Sequence, residues 1–395
     1  MIISIRQQMQ SVLRGEGSDR LPFAPRLDLW YAARRWTDSL PAPYRGASLE
    51  EICRREGWGI YRLTPDFRDL YHRKSDWPWT ALGIFRAAET LYEISLTDQV
   101  EMTVRDEGRR MHVTFDTAKG PLTAELELTD EMVRHGITFP HTAKKIATSA
   151  DDFEKLKALF ENLVLTPYPA GYEQSVSEIG EDGLVASWAV EIASPMNLVQ
   201  RYLFDTVDFF YLYMDEYPAL VSLCESVAHY YDQVITIYAQ SDVEFVAWGA
   251  NYDDTITYPP FFEKEISPWL KKAADAFHAT GKIMISHTDG ENRRLMDLIK
   301  DSGIDCAESI CPHPQTRLHF HEYYAAWADK LVLAGGIPTD FFIPESATTE
   351  ELVRYLEYVQ EVVTPGGGYI PGITDAFSPL GDFDRLRIAR DFFLR

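Results

Sequence analysis

From about residue 184 onward the chain alternates short apolar runs with amphipathic stretches, and this rhythm limits its fold more than any other feature. The runs are LVASWAV, VEFVAWGA, the stretch around Ile283, Met284 and Ile285, LVLAGGI and GYIPGI. Between them lie PMNLVQRYLF, PALVSLCESVAHYYDQVITIYAQ, SPWLKKAADAFHA, LHFHEYYAAWA, TEELVRYLEYVQEVV and DFDRLRIARDFF, each with one apolar helical face. Continuous apolar runs of strand length belong to strands buried on both faces, the habit of parallel sheets. Strand–helix alternation builds such a sheet, and about eight strands close it into a barrel. The expected fold is α/β: a (β/α)8 TIM barrel with an N-terminal helical segment and an inserted antiparallel β meander, forming one domain over residues 1–395.

The first half fills in that plan. Residues 4–15 read as a short amphipathic helix carrying Ile5, Met9, Val12 and Leu13. Asp19 and Arg20 lead into LPFAPRLDLWY, expected to be the first barrel strand. In it Arg26 and Asp28 alternate with apolar neighbours, so they either point into a site or form a local ion pair. Residues 47–56 suit a helix and GWGIYRLTPDF a second strand. Over 83–128, YEISL, VEMTVRD, RMHVTFDT and PLTAELEL alternate apolar with polar residues, with turns at Asp106-Glu107-Gly108 and Lys119-Gly120. This β-rich insertion either lines a pocket mouth or forms a face for a homodimer. FEKLKALFENLV then reads as a helix capped by Ser149 or Asp151.

A net charge of −23 argues against nucleic acid or an anionic membrane as partner. No run approaches 18 apolar residues and no signal-type segment opens the chain, so the expected location is the cytoplasm. Cys53, Cys224, Cys306 and Cys311 are too few for a disulfide framework.

The chemistry concentrates in 282–314, a strand, loop, helix, strand and loop. If its strands are parallel neighbours, both carboxyl ends share one sheet edge, where α/β folds build their sites. His287, Asp289, Glu308, Cys311 and His313 then meet in one region. These are types that zinc accepts, or else they form a polar rim without metal. Asn251, Asp253 and Asp254 follow VEFVAWGA on the same rim and either contact substrate or cap their loop. Glu191, Asp340 and Asp375 follow other strands and are candidate substrate contacts. Trp30, Tyr31, Trp188, Trp248 and Tyr252 stand at or near strand ends, as pocket walls or as packing. His319 and His321, two apart on an expected helix, should point away from each other.

SDRLPFAPRLDLWY, SHTDGENRRLMDLIKDSGIDCAES, DKLVLAGGIPTDFF and GGGYIPGITDAFSP together resemble the uroporphyrinogen decarboxylase superfamily over nearly the whole chain. The resemblance implies a (β/α)8 barrel with its site at the carboxyl ends of the strands. It also implies one of two activities, decarboxylation of a tetrapyrrole or zinc-dependent methyl transfer with a corrinoid. The decarboxylases carry RQAGRY near the start; here PRLDLWYAARRW holds Arg26, Arg34 and Arg35 without that motif. The thiol-directed methyltransferases hold zinc on H-x-C and a later Cys. This chain reads His287-Thr288-Asp289, with no Cys in PGITDAF. Only His287 transfers directly. The expectation is therefore a methyltransferase moving a methyl group between a small substrate, such as a methyl ether, and a corrinoid protein. Zn2+ would sit on His287, Glu308 and Cys311. Asp289, Asn251 and Asp253 would do the chemistry, and Arg26, Asp28, Tyr31, Glu191, Tyr252, Asp340 and Asp375 would bind substrate. The alternatives are a decarboxylase of a tetrapyrrole or other carboxylated ring, and a non-catalytic barrel that binds a cobamide or porphyrin.

Overall fold

The computed structural model describes residues 3–18, 21–65, 73–364 and 366–394. Asp19 and Arg20, and Asp66 and Phe67 at the end of the expected second strand, lie outside the described residues. In chain order the strands are β1 (Ile60–Thr64), β2 (Tyr92–Leu96), β3 (Val100–Asp106), β4 (Arg110–Thr117), β5 (Gly120–Glu127), β6 (His141–Lys144) and β7 (Leu163–Pro167). There follow β8 (Gly183–Val190), β9 (Phe245–Ala250), β10 (Ile283–His287), β11 (Cys306–Ile310), β12 (Val332–Ile337) and β13 (Tyr369–Ile373).

Seven of them form one parallel sheet in the order β1-β8-β9-β10-β11-β12-β13, with helices between successive strands from β8 on. Most strands in it are buried along nearly their whole length, which is why they read as unbroken apolar runs. One buried cluster gathers Leu184, Phe245, Ile285, Cys306, Val332 and Ile370 from β8 to β13. Met9, Val12 and Leu13 of α1 (Ile5–Leu13) join that same cluster. A sheet whose strands share one interior in this way is curled, and α1 fills part of its hollow.

The expected first barrel strand is not a strand. Pro22 and Pro25 have no N–H to give a ladder, and residues 21–27 carry no regular element. Helix α2 (Asp28–Trp36) follows, with Asp28 in its first turn and Arg34 and Arg35 in its last, charges that suit the helix dipole. The extended segment still does part of a strand's work. Phe23 O accepts from Gly59 N next to β1, and Ala24 N donates to Pro371 O of β13 at 3.5 Å. It thus bridges the two outer strands of the sheet irregularly, and the observed sheet is a curled one of seven strands.

The insertion is larger than 83–128. β3, β4, β5 and β6 form a four-stranded antiparallel sheet, while β2 pairs antiparallel with β7 as a separate ribbon. β7 was hidden in FEKLKALFENLV: the helix stops at Phe160, and Leu163–Pro167 turns extended although the apolar pattern runs on. Among the described residues no helix is long and apolar enough to cross a membrane.

Candidate active site

β10 and β11 are parallel neighbours in a register that sets His287 opposite Glu308. Thr288 then donates both its backbone N–H, at 2.7 Å, and its hydroxyl, at 3.0 Å, to Glu308 O, locking the two strand ends together. His287 Nδ1 and Glu308 Oε2 stand 2.5 Å apart with both side chains buried. On the other side of the ring, Nε2 faces Asp289 Oδ1 at 3.6 Å and Asp375 Oδ1 at 3.9 Å. Arg26 lies 4.0 Å from Glu308, 3.3 Å from Asp375 and 3.3 Å from Asp28. The ring of Trp188 lies 5.8 Å from that of His287.

Backbone conformation concentrates here as well. Asn251 after β9, Ser309 within β11 and Asp375 after β13 all have positive φ, near +58°, +59° and +55°. Non-glycine residues adopt that region at a cost and gather at functional sites. The three are tied into the cluster: Asn251 N donates to His287 O at 3.1 Å, and Asp375 N donates to Ser309 Oγ at 2.6 Å. The Asn251 side-chain oxygen is buried without a hydrogen-bond partner.

Electrostatics follow from this packing. Burial opposes a charged imidazole, but Glu308 and Asp289 outweigh it and push the His287 pKa up to about 10. Burial raises the Asp289 carboxyl, yet His287 more than offsets this and holds it below its ordinary range. Glu191 is pushed up by burial, against the pull of Arg201 and of the Tyr202 hydroxyl, which donates to both its oxygens at 3.0 and 3.1 Å. Burial also pushes up the thiol of Cys311. Asp28, Asp289, Glu308 and Asp375 thus stand against Arg26 and His287.

Asp253, Asp289, Cys311 and Asp375 line a cleft open to solvent. Arg26, Asp28, Tyr61 and Trp188 line a neighbouring one.

No family model matches the chain, and no curated protein matches it. Among solved structures, a methyltransferase from Methanosarcina mazei aligns over 100% of this chain and 100% of its own, with a TM-score of 0.54 at 10% identity. At that identity the likeness is one of fold, a parallel sheet curled inside its helices.

Among the described residues no group of three or more His, Cys, Asp and Glu side chains is placed to hold a metal ion as it stands. Glu308 lies behind the imidazole on Nδ1, not beside Nε2. Two atoms on one zinc, at bonds of roughly 2.0–2.2 Å, stand about 3.4 Å apart at the tetrahedral angle. The approaches of Asp289 and Asp375 to Nε2 exceed that by a few tenths of an ångström. A metal-bound histidine commonly gives its other N–H to a carboxylate, as Nδ1 does to Glu308. Asp289 and Asp375 thus stand on the Nε2 side of the imidazole, and Glu308 stands on the Nδ1 side.

The remaining expected residues divide. Tyr31 is on α2, its hydroxyl donating to Ala47 O, and Trp30 stacks on Phe383 at 4.8 Å. Neither stands at a strand end, because the segment they were assigned to is helical. Tyr252 is buried and bonded to Ser286 at 3.0 Å. Asp253 accepts from Thr255 N and Ile256 N, capping its own loop, while still lining the cleft. Asp254 pairs with Arg294. Asp340 sits in the turn Thr339–Phe342, and among the described residues no hydrogen bond or ion pair joins its side chain to the cluster. His319 precedes the helix Phe320–Trp327, so the helical spacing rule does not apply to it. Its ring stacks on those of His313 and His321 at 4.8 and 5.8 Å. Sequence reasoning missed Tyr61, whose hydroxyl is buried without a partner, and Arg201. The signal for Arg201 was a lone charge inside the apolar PMNLVQRYLF.

Proposed function

We propose that this protein is a methyltransferase that takes a small substrate at the carboxyl-end cleft and passes a methyl group to or from a corrinoid held by a partner protein. The observation that carries the reading is the arrangement of His287: Nδ1 fixed by Glu308, Nε2 facing Asp289 and Asp375. In this reading His287, Asp289 and Asp375 hold Zn2+. When bound, zinc supplies a Lewis acid for a substrate oxygen, which makes an alkoxide or phenolate a better leaving group. The chain's own groups do the rest. Glu308 holds the imidazole tautomer with Nδ1 protonated, and Arg26 steadies Glu308 and Asp375. Asn251 offers its unpartnered oxygen to a substrate donor, and Trp188 walls the site. The Methanosarcina mazei structure, named a methyltransferase, supports the same class through a shared fold.

The decarboxylase reading has less support. Gripping several carboxylate arms takes free arginine forks. Arg26 is already faced by three carboxylates, and Arg34 donates to Pro379 O at 3.0 Å.

Metal analysis of the gently purified protein tests the proposal. Near-stoichiometric zinc is expected, lost in His287→Ala and weakened in Asp375→Ala, but retained in Cys311→Ser. Methyl transfer to added cob(I)alamin, read as the methylcobalamin spectrum, should vanish with the zinc. Equal metal content in wild type and His287→Ala would overturn the assignment.

A further inference from the structure

The four-stranded sheet of the insertion has two edges of different kinds. At one, β6 is four residues long and its register with β5 shifts between Glu125 and Leu126. Short or irregular edges of that sort discourage further pairing. At the other, β3 pairs with β4 in unbroken register over all seven of its residues, with no proline and no bulge. Glu101 and Thr103 to Asp106 are exposed. Among the described residues no backbone hydrogen bond reaches residues 101–106 from outside the sheet. A regular edge of this length offers its outward N–H and C=O groups to another strand.

Side chains alternate across β3, and its two faces differ. Met102 and Val104 share a face with Val113, Phe115 and Leu122, which are buried in the core. Val104 itself is 38% exposed, so the apolar face runs out uncovered at the open edge. Glu101, Thr103 and Arg105 lie on the other, polar face. Glu101 stands opposite Asp116 of β4, a pairing of like charges, and no ion pair joins it among the described residues. Arg105, four residues on, meets Glu107 in an exposed contact at 2.9 Å.

We propose that β3 pairs antiparallel with β3 of a second copy of this chain, about a two-fold axis at Thr103, joining the two four-stranded sheets into one. In that register Glu101 of each copy stands opposite Arg105 of the other, Met102 opposite Val104, and Thr103 opposite itself. The two Glu101–Arg105 pairs offset the repulsion from Asp116, and the exposed Val104 is covered by an apolar neighbour. A slip of one residue sets the apolar face of one copy beside the polar face of the other. A slip of two sets Glu101 against Glu107 in one sense and Asp106 against Asp98 in the other, like charges in both. A rival surface is the exposed apolar stripe of Val207, Tyr211 and Met214 on the helix Thr206–Asp215. Asp205, Asp208 and Asp215 flank that stripe with no basic residue between 205 and 216, so a second copy there would bring acid against acid.

Sedimentation velocity of the full chain tests the pairing, over a concentration series reaching about 100 µM because one strand pair makes an interface smaller than the standard ~1,600 Å². A concentration-dependent dimer is expected. Glu101→Arg sets arginine against Arg105 of the second copy, twice by symmetry, and should weaken the dimer at least about tenfold, as should Arg105→Glu. The double variant Glu101→Arg/Arg105→Glu re-forms both pairs and should restore it. Within its own sheet Glu101→Arg faces Asp116, an opposite charge, so loss of the dimer is not loss of the fold. A chain monomeric throughout, a dimer indifferent to Glu101→Arg, or a double variant that stays monomeric overturns the inference. A dimer lost in Tyr211→Ser and kept in Glu101→Arg would also overturn it and put the interface on the helix.

Discussion

At the residue scale, the proposed chemistry depends on one imidazole held from both sides. Glu308 on Nδ1 sets which nitrogen is free, so Glu308→Gln should leave the ring in place but less firmly oriented. Zinc affinity should fall by about 10- to 100-fold, the usual effect of losing a carboxylate behind a metal-bound histidine, measured by competition with a chelator. In metal-free protein the same imidazole makes stability depend on pH. Its folded pKa, about 10, lies above the unfolded value of roughly 6.5. The native state therefore holds the proton more tightly. That contribution is complete below about pH 6.5 and is lost as pH rises toward about 10. Urea midpoints of metal-free wild type and His287→Gln should diverge most near pH 6 and converge near pH 10. A gap that widens with pH would refute the paired imidazolium. Metal binding displaces this proton, so zinc affinity should climb over the same range.

At the element scale, the site is made by loops that leave the strands at fixed angles. Gly290, after Asp289, has φ +117°, and a Cβ there would come within 2.4 Å of Tyr252 O. The obstacle is backbone, which cannot rotate away. Gly290→Ala should cost roughly 1–3 kcal/mol, the range for a residue forced into such a conformation, read from thermal unfolding. It should also weaken zinc binding, because the loop that carries Asp289 must shift. A variant as stable as wild type would mean that the β10 loop is free to move. The elements are legible in the sequence where strands are buried on both sides and obscure elsewhere. β7 continued the apolar pattern of the helix before it, and β6 is four residues long with three of them exposed. Periodicity has little to distinguish in either case.

At the scale of the whole molecule, the sheet's hollow is closed at one side by α1. Met9, 1% exposed, packs among residues from β8 to β13. Met9→Ala should destabilise the protein by about 2–5 kcal/mol, as large-to-small changes do in a tight core, measured by urea unfolding. A loss below about 1 kcal/mol would show that the helix merely rests on the sheet.

The order of β8 to β13, their parallel sense and the edge bearing His287, Asp289 and Glu308 were legible in the sequence, because burial on both faces leaves its mark on every residue of a strand. Which of those side chains face one another was not. That Glu308 stands behind His287 is decided by the β10–β11 register, and that Asp375 approaches Nε2 is decided by the curl that brings β13 round. Pattern is local, recording how much of a side chain is buried. Distances between residues dozens of positions apart exist only once the sheet has curled.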